Sequence, residues 1–85
     1  MNERIQELLK ATATDLGAEI VSVKWMPTAD RKYGRNQLEI RIKSIDESPV
    51  TVDLCSKFSR RAGAVLDVED IIKSEYELIV SSPGV

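Results

Sequence analysis

The chain has no histidine, a single cysteine and only four glycines among its 85 residues. Without histidine it lacks the one side chain that ordinarily titrates near neutral pH, and with it the commonest nitrogen ligand for zinc. One cysteine excludes an internal disulfide and a paired-thiol redox motif. Cys55 shares an apolar helical repeat with Leu54 and Phe58, so it reads as a small buried hydrophobe rather than a reactive thiol. Gly17, Gly34, Gly63 and Gly84 are isolated from one another, which excludes a glycine-rich phosphate cradle, and no serine sits in a Gly-x-Ser-x-Gly turn. Neighbouring acids such as Glu69 and Asp70 read as solvated charges rather than an acid–base pair. No catalytic residue, metal site or cofactor is expected. No run approaches the roughly 18 apolar residues that span a bilayer. The start, Met1-Asn2-Glu3-Arg4, leads into an amphipathic repeat without the basic opening and continuous apolar core of a secretory signal. The expectation is a cytoplasmic protein with no membrane partner.

What is present is the composition of a small globular domain: 42% hydrophobic and 31% charged residues. A chain of this length buries only about 60–65% of the surface its unfolded form exposes, so one domain of modest stability is expected and a large cleft is not. The net charge of −2 hides an uneven distribution, with a net +4 over residues 24–43 and a net −4 over residues 67–85. Such an arrangement is either a mixed, solvated surface or a basic patch that faces a polyanion.

The last third organises the chain. Thr51 stands before an apolar repeat and can accept hydrogen bonds from the free amides of a first helical turn, and Asp53 suits that turn's positive end. Leu54, Cys55, Phe58, Ala62, Val65 and Leu66 recur at three- and four-residue spacing and form one buried face. Lys57, Arg60 and Arg61 point elsewhere, so this helix carries a basic stripe beside its apolar one. It runs through Leu66-Asp67-Val68-Glu69-Asp70, whose acids are read as a connection into the strand Tyr76–Ser81. Ser82-Pro83-Gly84 stops that strand, since proline offers no amide to a ladder.

Ahead of it, Ile5, Leu8, Leu9, Ala13 and Leu16 predict a helix from Asn2 to Leu16, with Asn2 as N-cap and Gly17 as its left-handed end. Ala18 to Trp25 predicts a strand that faces the core through Val21, Val23 and Trp25, with Trp25 either closing the core's edge or standing on a recognition surface. Met26 to Asn36 predicts a long hairpin loop. Its Arg31, Lys32, Tyr33 and Arg35 would suit an RNA loop, phosphate on the cations and a base on the ring, or else form a soluble tip. Gln37 to Ser44 is the clearest strand, Leu38, Ile40 and Ile42 alternating with Glu39, Arg41 and Lys43.

The order helix, strand, strand, helix, strand, with one apolar face on each element, predicts an α+β two-layer sandwich with both helices on one face of a three-stranded sheet. The third strand can pair in parallel with the second or antiparallel with the first, and periodicity does not decide between them. The other face of the sheet is left to Ser22, Lys24, Arg41, Lys43, Glu77 and Ile79.

Several runs together carry a family resemblance: Val50-Thr51-Val52-Asp53-Leu54-Cys55, Ser59-Arg60, Leu66-Asp67-Val68-Glu69-Asp70 and Ile79-Val80-Ser81-Ser82-Pro83-Gly84. With the opening helix and Gly17-Ala18-Glu19-Ile20-Val21-Ser22-Val23, the chain resembles the N-terminal domain of the bacterial ribosome maturation factor RimP along its whole length. Val85 and Ile71-Ile72-Lys73-Ser74 depart from the family's usual leucine and its usual prolines and glycine. The resemblance implies one domain over residues 1–85, with the family's C-terminal SH3-like barrel absent from this sequence. It also implies a non-catalytic partner of the small ribosomal subunit during assembly, near ribosomal protein twelve of that subunit.

The family motif designates no contact residues, so the candidates come from charge. They are Arg31, Lys32 and Arg35 in the loop, Lys57, Arg60 and Arg61 on the second helix, and Lys24, Arg41 and Lys43 on the sheet, all able to anchor phosphates. Two other readings stand beside ribosome assembly. One is an autonomous KH-like RNA-binding domain, which the missing Gly-x-x-Gly loop disfavours. The other is a protein-interaction module that meets a basic ribosomal protein through Asp67, Glu69 and Asp70. A monomer is expected.

Overall fold

The computed structural model describes residues 2–27, 36–72 and 75–82. Helix α1 spans Asn2–Asp15 and turns Ile5, Leu9 and Ala13 inward, each at most 1% exposed. It ends through Gly17, whose φ of +75° lies where a side chain would be strained. The Gly17 carbonyl accepts the amide of Ile45 at 3.0 Å, which ties this turn to the far end of the second strand.

Strands β1 (Ala18–Met26) and β2 (Asn36–Ser44) pair antiparallel. Met26 and Asn36 are therefore strand residues rather than parts of a loop. The predicted face of β1 holds for Val23 and Trp25 but not for Val21, which is 44% exposed. The register slips between Ile20 and Ser22, where β1 carries an extra residue against β2. Such a bulge shifts the phase of the alternation, so Ala18 and Ile20 face the core before it and Val23 and Trp25 after it. Trp25 closes the core's edge, its ring 6.3 Å from that of Tyr76 across the sheet at a tilt of 56°.

After β2, the Asp46 carboxylate accepts the amide of Ser48 at 3.1 Å and its hydroxyl at 2.6 Å, turning the chain away from the sheet. The Ser48 hydroxyl and amide hold the Asp46 carboxyl below its ordinary value. Helix α2 (Val52–Glu69) then begins at Thr51, whose Oγ1 accepts the Leu54 amide at 3.1 Å. Thr51→Ala removes this cap and is expected to cost about 1 kcal/mol in a denaturant titration. The helix continues further than the acidic connection read from sequence. Asp67 and Glu69 belong to its last turn, and Asp70 caps it in a left-handed conformation, donating its amide to the Leu66 carbonyl at 2.9 Å.

Strand β3 (Tyr76–Ser81) pairs in parallel with β2, settling the choice that periodicity left open. The sheet order is β1-β2-β3, with α2 as the crossover that a parallel pair requires. The Asn36 side chain donates to the Glu75 carbonyl at 2.9 Å and fastens the start of β2 beside the start of β3. Central β2 buries Leu38, Ile40 and Ile42 completely against Ile5 and Leu9 of α1 and Phe58, Ala62 and Leu66 of α2. The molecule is thus an α+β domain of two helices on one face of a mixed three-stranded sheet.

Candidate functional site

The bare face of the sheet is organised in cross-strand rows. Lys24, Glu39 and Ile79 form one, Ser22, Arg41 and Ser81 the next, and Glu19 lies opposite Lys43. Among the described residues its three cations are matched there by three carboxylates, Glu19, Glu39 and Glu77. Arg41 pairs with Glu39 at 3.4 Å and Lys43 with Glu19 at 3.8 Å. These are solvated contacts of small energy, yet they leave the face without net charge.

The second set of cations lies on the other side of the molecule. Lys57, Arg60 and Arg61 are all exposed on α2, which covers the opposite face of the sheet. The sheet and the core separate them from Lys24, Arg41 and Lys43, so the six do not form one surface. Arg31, Lys32 and Arg35, the loop candidates, lie outside the described residues. Lys57 is held by Asp53 at 3.1 Å, one helical turn away. Arg60 and Arg61 take part in none of the ion pairs among the described residues. The first half of α2 is consequently the part of the described surface where nominated cations outnumber acids.

The far end of the same helix has the opposite sign. Asp67, Glu69 and Asp70 are exposed around Val68, itself 83% exposed, with no basic residue in that last turn. Burial pushes the Tyr76 phenol above its ordinary value, and the Asp67 carboxylate adds to the rise. The outer side of α2 is therefore bipolar, basic toward its start and acidic at its end.

Beside the basic half lies an open groove of about 760 Å³ between the start of α2 and the end of β3. Val50, Cys55 and Val80 give it apolar surface, while Thr51, Ser56, Ser59 and Ser82 bring hydroxyls, Ser81 lines its edge, and Arg60 is its one charge among the described residues. Among the described residues no carboxylate lines it. A second, smaller hollow of about 460 Å³ lies between α1 and the start of β1, where Lys10 and Glu19 bring opposite charges. The groove was not legible in the sequence, because its walls come from stretches some twenty residues apart that only the parallel β2–β3 pairing brings together. Ser59 and Ser82 are the one signal there, and in the sequence Ser82 reads as part of the stop that ends the strand.

Among the described residues no cluster of acids and cysteine is suited to a metal ion, and no helix is long and apolar enough to cross a membrane. Chemically, the arrangement offers hydrogen bonds, one guanidinium and apolar contact, which are the means of a binding surface. The fold is that of a small α+β domain, two helices on one face of a mixed three-stranded sheet. The family model described as the RimP N-terminal domain matches residues 8–85, and the chain belongs to that family. The family is one of ribosome maturation factors.

Proposed function

We propose that this domain binds the small ribosomal subunit during its assembly and does so without turnover. The observation that carries the reading is the family match across residues 8–85. The net positive first half of α2 supports it, since ribosomal RNA presents a dense array of phosphates and cations clear of acid partners gain most from meeting them. In this reading the domain works in the cytoplasm as a monomer. It acts as the N-terminal unit beside an SH3-like barrel, near ribosomal protein twelve of the small subunit.

Cosedimentation of the chain with purified small subunits tests the proposal. Binding that weakens steeply as salt rises is the expected result, because neutralising several phosphates releases condensed counterions. Failure to cosediment at low salt, for this chain and for the chain joined to a C-terminal barrel, would remove the ribosomal reading.

A second reading, docking of a basic ribosomal protein, is favoured by one observation: the acids Asp67, Glu69 and Asp70 gather around exposed Val68 at the negative end of the helix dipole.

A further inference from the structure

The geometry points to the groove between the start of α2 and the end of β3 as a seat for the sugar–phosphate backbone of single-stranded RNA. This rests on the ribosomal reading for the source of the RNA, and adds the place and the chemistry of contact.

The lining decides the class of ligand. Four hydroxyl-bearing residues, Thr51, Ser56, Ser59 and Ser82, share the lining with one cation, Arg60, and no acid among the described residues. Hydroxyls donate to phosphate oxygens and exchange hydrogen bonds with a ribose 2′-hydroxyl, and a guanidinium grips a phosphate through two parallel bonds. The only carboxylate in the first turn of α2 is Asp53, which is absent from the lining and holds Lys57 at 3.1 Å. Arg60 is thereby left to an external anion. A basic protein tail would find no counter-charge here, which favours RNA over a ribosomal-protein segment as the occupant.

Size and apolar surface agree. The volume of about 760 Å³ falls within the roughly 300–1,000 Å³ of grooves that hold ligands. Val50 and Val80 offer apolar contact to a sugar or the face of a base. No aromatic ring of the described residues lines the groove, so bases gain no stacking from them and recognition follows the backbone rather than the sequence. Binding by this groove is therefore salt-sensitive and sequence-tolerant.

Cys55, the chain's one cysteine, lies half-buried in the groove wall and reports its occupancy. The test is the rate at which iodoacetamide alkylates Cys55, followed by mass spectrometry. Oligouridylate at low salt is expected to slow alkylation about tenfold at saturation, because a seated strand excludes the reagent from the thiol. Raised salt should restore the free rate. Arg60→Glu should abolish protection while keeping the wild-type melting temperature, since Arg60 is exposed. An alkylation rate that oligouridylate leaves unchanged overturns the proposal. So does protection by the stripped proteins of the small subunit but not by RNA, which would make a peptide the occupant. Cosedimentation with small subunits while Cys55 reacts at its free rate overturns the groove and leaves the ribosomal reading standing. Protection by oligouridylate without cosedimentation, either of this chain or of the chain joined to a C-terminal barrel, keeps the groove and removes that reading.

Discussion

Phe58→Ala is expected to lower the stability of the domain by about 3–5 kcal/mol, the usual cost of emptying a large aromatic site in a packed core. Phe58 heads the fully buried side chains by volume, and the buried core it belongs to includes Ile5 and Leu9 of α1 and Leu38, Ile40 and Ile42 of β2. Both helices and the central strand therefore border any cavity its removal leaves, and only a large collapse would refill it. A domain of this size has roughly 4–13 kcal/mol in total to lose. In a thermal melt followed by circular dichroism, the midpoint should fall by roughly 12 °C or more. Val68→Ala, on the same helix but 83% exposed, is the control and should stay within about 0.5 kcal/mol. An unchanged midpoint for Phe58→Ala would mean that α2 does not meet the sheet through this face.

The helix faces were legible because burial on one side leaves a 3.6-residue period that no other structure produces. Phe58, Ala62 and Leu66 were identifiable in this way, as were Ile5, Leu9 and Ala13. Central β2 was legible for the equivalent reason at period two. Val21 was misplaced because a bulge adds one residue without changing composition, and Ile20 and Val21 are equally apolar neighbours. The parallel pairing of β3 was undecided because alternation shows which face of a strand is buried and nothing about its neighbour. That ambiguity hid the groove as well. Ser59 and Arg60 come to line one groove with Ser81 and Ser82 only once β3 lies beside β2. The charges were readable one by one, but which of them share a surface depends on which side of the sheet each element covers. Nine nominated cations thus became separate groups, two of them on opposite sides of the molecule.

Charge reversal separates those two groups by a large margin. Arg60→Glu combined with Arg61→Glu is expected to weaken cosedimentation with small subunits by roughly a hundredfold or more, since each lost charge-assisted bond to a phosphate is worth about 1.5–3 kcal/mol. The same reversal at Lys24, Arg41 and Lys43 is expected to change affinity by no more than about twofold, as weakly coupled, screened surface charges do. The difference follows from the partners each set has within the fold. Arg41 and Lys43 already lie 3.4 and 3.8 Å from Glu39 and Glu19, and Lys24 stands opposite Glu39 in the ladder. A phosphate approaching that face meets as many carboxylates as cations. On α2, Asp53 offsets Lys57 alone, so a phosphate meets Arg60 and Arg61 without a competing acid from the first half of the helix. The slope of affinity against salt should shrink for the α2 variant, by about one phosphate for each contact removed, and stay unchanged for the sheet variant. Loss of binding from the sheet variant alone would move the contact to the bare face. Retention by both, with loss on charge reversal at Glu69 and Asp70, would make the acidic end of α2 the contact and a basic protein its partner.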